Sequence, residues 1–276
     1  MKTEMDSKPH PLNTSFAWRS ATTSRTIVTD DLARQWDEQG FFVLRDVIPQ
    51  ETIARVRDEI DPLEERMTEW LRKRGGRVAI ADADAITFTT HVVKRSEVLR
   101  DFAAGEPFRS IVRDLIGPDV RLYWDQAVYK KPEPEREFPW HQDNGYTFIE
   151  PQQYVTCWVP LVDATEENGC PQVAPGRHVG GTLAHEWVEP IGFQCIDAPD
   201  DAVTVEAAVG DVVVFSSLTP HRTGPNRTDH VRRAYILQYA PDGAVCIAEG
   251  ERNDEPVPQN DPERQFVVLS GGAPPA

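Results

Sequence analysis

The chain has 276 residues, 39% of them hydrophobic, which is enough for one sizeable core. Its 29 basic and 45 acidic residues give a formal net charge of -16, which argues against nucleic acid or an anionic membrane surface as a partner. The four cysteines show neither metal-site nor disulfide-framework spacing, and no segment has the pattern of a signal peptide or a membrane span. We therefore expect a soluble, cytoplasmic protein.

The first part of the chain has the pattern of an arm followed by helices. Residues 1–27 mix polar residues and prolines without periodicity and are expected to form a flexible arm. Apolar residues then recur at helical spacing, and Pro62 is expected to kink or split one of the helices. The predicted elements are a helix from Thr29 to Gly40, a strand from Phe41 to Leu44, a helix from Pro49 to Leu71 and a further helical region from Glu97 to Ile116.

After Pro118 the pattern changes to short strands separated by Gly, Pro and Asp clusters, which favours an antiparallel sandwich or barrel. The predicted strands are Val120 to Tyr129, Tyr154 to Leu161, Val203 to Glu206, Asp211 to Phe215 and Arg233 to Tyr239. We expect a single domain over 28–250, with a helical part at 28–117 and a β core at 118–250. Residues 251–276 are expected to form an acidic tail.

A His-x-Asp motif, His141 and Asp143, lies in the β part of the chain. Side chains two apart on a strand leave the same face, so both can reach one metal ion. His221, far downstream, could supply a third ligand. Two imidazoles and one carboxylate on one face of an octahedron suit non-heme Fe(II) in oxygenases. The motif alone is short enough to occur by chance, so its context decides the interpretation.

That context is a series of motifs in a fixed order. They are Trp140-His141-Gln142-Asp143-Asn144, Val155 to Asp163, Glu166 to Cys170, Pro175-Gly176-Arg177-His178, Gly210-Asp211, and His221 through Asn226 to Arg232. In this order they resemble the phytanoyl-CoA dioxygenase (PhyH) family of Fe(II)/2-oxoglutarate-dependent oxygenases. The resemblance implies a mostly β fold with N-terminal helices, in which a double-stranded β-helix (jelly-roll, cupin-like) core is flanked by α-helices.

The resemblance also implies roles for single residues. His141, Asp143 and His221 would bind iron, and Arg232 would hold the distal carboxylate of 2-oxoglutarate, since a guanidinium matches a carboxylate bidentately. Arg233 competes with Arg232, because strand periodicity alone leaves both registers open. Family positions also place Thr223, Trp158 and Gln126 in the cosubstrate pocket. Arg177 stands where the family often has serine, which would put a cation near the pocket entrance.

The implied activity is a dioxygenase that hydroxylates a small organic molecule while 2-oxoglutarate and O2 become succinate and CO2. Asp143 is retained, whereas related halogenases lack this carboxylate, and its presence favours hydroxylation or another oxidation. Two alternatives remain open: a cupin-like metal enzyme that does not use 2-oxoglutarate, and a non-catalytic sensor of 2-oxoglutarate or iron. Aromatic residues around the motif, Trp140 and Tyr146 first among them, suggest a substrate wall for an apolar or cyclic molecule. The sequence does not fix the oligomeric state.

Overall fold

A computed structural model describes residues 7–189, 192–247 and 255–275 of the chain. The first six residues of the expected arm lie outside the described residues, as does the expected boundary between domain and tail at 250 and 251. Among the described helices, none combines the length and the apolar character needed to cross a membrane.

Four α-helices are present: α1 Asp30–Gln39, α2 Gln50–Arg72, α3 Glu97–Ala103 and α4 Phe108–Leu115. The Thr29 side chain accepts a hydrogen bond from the Leu32 amide and caps α1, as its sequence position predicts. Gly40 ends α1 with φ of 81°, and a Cβ atom there would come within 2.5 Å of the His178 ring. Glycine is therefore required at this position.

The structure refines two expectations about the helices. Helix α2 continues through Pro62 without a split, and Ile60 and Leu63 on either side of it are buried in one core and hold the helix in place. The helical region expected from Glu97 to Ile116 contains two helices, α3 and α4. Pro107 has no amide hydrogen and disfavours helical geometry in the residue before it, so the chain breaks between α3 and α4.

The strands are β1 Phe41–Leu44, β2 Arg77–Val78, β3 Ala81–Asp82, β4 Ile86–Thr90, β5 Val120–Lys130, β6 Phe138–His141, β7 Ile149–Glu150, β8 Val155–Pro160, β9 Pro171–Val173, β10 Glu186–Val188, β11 Gly192–Gln194, β12 Val203–Thr204, β13 Val212–Ser216, β14 His221–Thr223, β15 Arg232–Pro241, β16 Val245–Cys246, β17 Val257–Pro258 and β18 Val267–Leu269. The five predicted strands are all present, and each of their bounds agrees with the prediction to within two residues.

Two antiparallel sheets form the core. The major sheet has the order β1-β13-β8-β15-β5-β4-β3-β2, with β18 pairing to the start of β5. The minor sheet has the order β12-β9-β14-β6. Non-consecutive strands are neighbours from β1 to β5 in the major sheet and throughout the minor sheet, as in a jelly roll. The helices pack against the major sheet in one hydrophobic core. This architecture confirms the predicted mostly β fold with a double-stranded β-helix core. Residues of both sheets line one cavity of about 270 Å³.

Described residues of both end segments contact the body of the molecule. Near the N-terminus, the Asn13 amide donates hydrogen bonds to the Gly180 and Thr182 carbonyls, at 2.8 and 3.0 Å. Near the other end, β18 adds to the major sheet, and Leu269 is buried with 1% of its surface exposed. Apolar residues of β18, within the expected acidic tail, therefore belong to the core.

We expect Leu269→Ala to destabilise the protein by about 2–5 kcal/mol, because a buried leucine is replaced by a cavity. The free energy of unfolding measured in urea checks this value. Val257→Ala is a matched control in the same tail, since Val257 is 55% exposed and should change stability by no more than about 0.5 kcal/mol. Equal stabilities of the two variants would contradict the packing described here.

Candidate active site

Three potential metal ligands converge where β6 and β14 lie side by side. His141 ends β6, Asp143 begins the short 3-10 turn that follows it, and His221 begins β14. In the antiparallel register His221 stands directly opposite His141. Asp143 Oδ1 lies 4.0 Å from His141 Nε2 and 3.8 Å from His221 Nε2. One potential ligand atom from each residue lies within 4.8 Å of the other two, so a single ion could contact all three.

The orientation of both imidazoles is fixed by their second nitrogen. His141 Nδ1 lies 2.8 Å from the Pro139 carbonyl oxygen, and His221 Nδ1 lies 3.0 Å from that of Thr219. In each case the acceptor is two residues earlier in the chain. With the proton on Nδ1, the Nε2 lone pair faces the shared point, which is the arrangement that metal-binding histidines use.

Asp143 is oriented by a hydrogen bond that was not predicted from the sequence. The Thr156 hydroxyl on β8 donates to Asp143 Oδ2 at 2.6 Å. Oδ1 is thereby left to face the two imidazoles, which favours a carboxylate that binds through one oxygen. Burial, with a smaller contribution from His221, lowers the pKa of His141 well below its usual value. The ring therefore stays neutral, which is the form that binds metal. The donor set fits an iron ion that keeps open positions.

Arg232 points into the same cavity as a buried cation. Only 1% of its surface is exposed, and none of its three guanidinium nitrogens has a hydrogen-bond partner among the described residues. The guanidinium carbon lies 5.5 Å from the centre of the Trp158 ring, and burial lowers the pKa of Arg232 to about 10. Buried charges in proteins are normally paired. These unused donors fit the carboxylate of a bound dicarboxylic acid.

The neighbouring Arg233 faces the other side of β15. Its Nη1 lies 3.6 Å from Asp61 Oδ2, and its guanidinium carbon lies 5.6 Å from the centre of the Tyr129 ring. The structure thus separates the two arginines that sequence periodicity could not distinguish. Only the side chain of Arg232 lines the cavity.

The other predicted pocket residues divide into two groups. Thr223, Trp158, Gln126 and Tyr146 line the cavity with the three potential metal ligands. Trp140 does not, and its expected substrate contact is corrected: the ring is buried in a separate cluster with Ala174, Cys195 and Ile196. Strand alternation is the cause, since Trp140 directly precedes His141 in β6 and therefore faces the opposite side. The pairing of β6 with β14 shifts register before His141, and Phe138 lines the cavity as well.

Lys130 is a second buried cation that the sequence analysis missed. It pairs with Arg232 across β5 and β15, and its ammonium group donates to the Thr223 and Gly224 carbonyls. Burial, and secondarily Arg232, lowers its pKa well below the usual value. The alternation of β5 could have revealed it, because Gln126, Val128 and Lys130 are two residues apart. Lys130 supports the loop that carries Thr223.

Arg177, which was expected near the pocket entrance, makes structural contacts outside the cavity, as do His178 and His185. His178 is buried against Trp18, with ring centres 4.3 Å apart, and is not part of the metal cluster. The Arg177 guanidinium binds Asp201 with nitrogen to oxygen distances of 2.8 and 3.2 Å, and it does not line the cavity. His185 Nε2 accepts a hydrogen bond from the Gln142 amide at 2.9 Å.

Comparison with known proteins agrees with this site. Residues 36–234 match the family model described as Phytanoyl-CoA dioxygenase (PhyH). The chain belongs to the phytanoyl-CoA dioxygenase family. It is therefore an Fe(II)/2-oxoglutarate-dependent dioxygenase, with iron as cofactor and 2-oxoglutarate as cosubstrate.

Individual relatives are distant but match over most of their length. A probable phytanoyl-CoA dioxygenase of Caenorhabditis elegans is 26% identical, over 80% of this chain and 78% of the relative. A 2-aminoethylphosphonate dioxygenase of the uncultured bacterium HF130_AEPn_1 is also 26% identical, over 81% and 84%. The crystal structure of EvdO2 from Micromonospora carbonacea var. aurantiaca, complexed with 2-oxoglutarate, superposes with a TM-score of 0.63 at 24% identity over 83% of this chain and 97% of that one. It shares the fold of this dioxygenase.

We expect His185 to make the stability of this dioxygenase depend on pH. Burial lowers the pKa of His185 from 6.5 to about 4, and both ring nitrogens are hydrogen-bonded. Between these values the unfolded chain takes up a proton that the folded chain does not, so stability falls as the pH drops from 6.5 towards 4, by roughly 3 kcal/mol at most.

Urea unfolding of the wild-type protein and His185→Gln between pH 7 and pH 4.5 measures this dependence. The variant should lose less stability over that window than the wild type. His230→Gln is the control, because the side chain of His230 is 88% exposed, and its pH profile should follow the wild type. Parallel profiles of wild type and His185→Gln would argue against the buried, neutral ring.

Proposed function

We propose that the protein hydroxylates a small organic molecule, with His141, Asp143 and His221 as the iron ligands and Arg232 as the anchor of 2-oxoglutarate. The observation that carries this proposal is the unpartnered, buried guanidinium in the same cavity as the His-Asp-His cluster. Iron and 2-oxoglutarate, when bound, supply the oxidising chemistry in which O2 and 2-oxoglutarate become succinate and CO2.

The chain's own residues supply position and polarity. The Nδ1 hydrogen bonds of the two histidines and the Thr156 contact preset three donor atoms, so little reorganisation is needed when a cation binds. Arg232 orients the cosubstrate through paired hydrogen bonds, and Thr223 adds a hydroxyl beside it. Substrate bound at the mouth of the cavity would exclude bulk water from the reacting centre and so protect reactive species from side reactions.

Asp143 bears on the outcome of the reaction. A carboxylate in this position occupies the place that a halide would need, so hydroxylation is favoured over halogenation. We also infer a cytoplasmic location, because all four cysteines are free and three of them are buried.

Replacement of His221 tests the metal site. His221→Ala should lower the affinity for Fe(II) by more than about 100-fold, since loss of even a supporting residue at a metal site typically costs 10- to 100-fold. Anaerobic calorimetric titration with Fe(II) measures the affinity. His230→Ala is the control and should bind Fe(II) as the wild type does. Unchanged affinity in His221→Ala would exclude this residue as a ligand.

Replacement of Arg232 tests the cosubstrate site. In the Fe(II)-loaded protein, Arg232→Gln should raise the Kd for 2-oxoglutarate by roughly 10- to 100-fold, because a buried carboxylate loses its charged partner. The matched control is Arg233→Gln, which removes the same charge one residue away on the outer face and should change the Kd by less than about twofold. Succinate formation under O2 is followed in parallel.

Equal effects of Arg232→Gln and Arg233→Gln on the Kd for 2-oxoglutarate would favour a cupin-like metal enzyme that does not use 2-oxoglutarate. Tight binding of iron and 2-oxoglutarate without succinate from any substrate would favour a sensor.

A further inference from the structure

The cavity carries little charge beyond the groups already assigned. Among the described side chains that line it, Asp143 and Arg232 are the only acidic or basic ones besides the two histidines. The remaining lining residues are apolar, aromatic or uncharged polar. The Tyr123, Tyr146 and Tyr154 phenols are also uncharged at neutral pH. Whatever binds beside the cosubstrate therefore meets a neutral surface.

One side of the cavity is an apolar wall, formed by Ile80, Ile86, Phe88, Val128, Phe138, Tyr146 and Ile236. The rings of Phe88 and Phe138 lie 5.6 Å apart, and Phe138 packs edge-on against His141 at 4.9 Å. The wall thus extends from the major sheet to the metal cluster. A surface of this kind binds aliphatic or ring carbon close to the reacting centre.

Most basic side chains near the cavity already form ion pairs or hydrogen bonds with other groups of the protein. Phosphonates, phosphates and carboxylates are most often recognised by arginine or lysine groups that are available to them. The described basic groups close to the site have partners as follows: Arg136 and Arg77 with Asp82, Arg222 with Glu137, Arg177 with Asp201, and Lys130 with backbone carbonyls. Arg232 is the exception, and the proposed function assigns it to 2-oxoglutarate.

Uncharged polar groups complete the lining. The carboxamide of Gln238 lines the cavity and has no side-chain hydrogen bond among the described residues. Gln238 lies opposite Thr156 and Trp124 in the register of the major sheet, so its amide is close to the Asp143 side of the site. A free amide can donate to or accept from a hydroxyl or carbonyl group.

The size of the cavity limits what can enter. Its volume of about 270 Å³ must hold both 2-oxoglutarate and the reacting part of the substrate. Sites for drug-sized ligands alone occupy about 300–1,000 Å³. The substrate must therefore insert a compact fragment, and any larger remainder stays at the mouth.

Resting on the proposed function, we propose that the substrate is an uncharged, oxygenated ring compound whose ring enters against the apolar wall and whose hydroxyl or carbonyl group meets Gln238. It carries no phosphate, phosphonate or carboxylate close to the reacting carbon. The dioxygenase thus differs in substrate class from its relative named for 2-aminoethylphosphonate.

Binding of matched probes tests this inference. The anaerobic Fe(II) and 2-oxoglutarate complex is titrated by calorimetry with 1-tetralone, with 1,2,3,4-tetrahydro-1-naphthoate, and with methylphosphonate and 2-aminoethylphosphonate. We expect 1-tetralone to bind at least about tenfold more tightly than the ring carboxylate, because burying an unpaired charge is costly. Neither phosphonate should bind saturably.

A charge placed on the apolar wall should reverse this order. Phe88→Lys should bind the ring carboxylate more tightly than 1-tetralone, whereas Phe88→Leu, the matched control, should keep the wild-type preference. The inference is overturned if 1-tetralone does not bind saturably to the wild-type complex, or if the carboxylate or either phosphonate binds as tightly. Failure of the protein to bind 2-oxoglutarate in the presence of Fe(II) would reject the proposed function instead, and this is measured before any probe is added.

Discussion

The backbone pairing between β6 and β14 is the constraint on which the site depends. Antiparallel register puts His141 and His221 opposite each other, and the chain turns at once to bring Asp143 beside them. Each imidazole is held by the carbonyl two residues earlier in the chain, so no distant group is needed to set its direction. A slip of one residue would turn one histidine to the other face and remove the cluster. The metal site is thus a property of sheet register as much as of residue identity.

The cosubstrate end of the cavity depends on a buried charge, Arg232, that has no hydrogen-bond partner among the described residues. Arg232 and Lys130 lie side by side across β15 and β5, and burial disfavours the charged form of both. Such an arrangement costs stability in the free protein. An anionic ligand that binds beside the two groups offsets that cost. The folded protein should therefore become more stable as this ligand saturates its site. The major sheet, with its large shared core, provides the stability that makes this arrangement tolerable.

The sequence predicted the chemistry better than the geometry. Spaced motifs identified four site residues, and the structure brings all of them to one cavity: His141, Asp143, His221 and Arg232. Trp140 was misassigned although the signal was local, because a residue adjacent to His141 on a strand faces the opposite side. Thr156 and Lys130 were missed for a related reason, since their roles depend on which strands become neighbours. The effect of each proline could not be predicted from the sequence, because it depends on tertiary packing: α2 continues through Pro62, whereas the helical region from Glu97 to Ile116 is interrupted before Pro107.

The place of β5 in the major sheet has a consequence for how the protein is made. Its main neighbour, β15, begins at Arg232, about a hundred residues after β5 itself. During synthesis at roughly 5–20 residues per second, β5 emerges from the ribosome several seconds before that neighbour exists. One edge of β5 can pair with β4, which is made earlier, but the edge that β15 covers stays open in that interval. The centre of the major sheet is therefore completed only when the last of its long strands has been made.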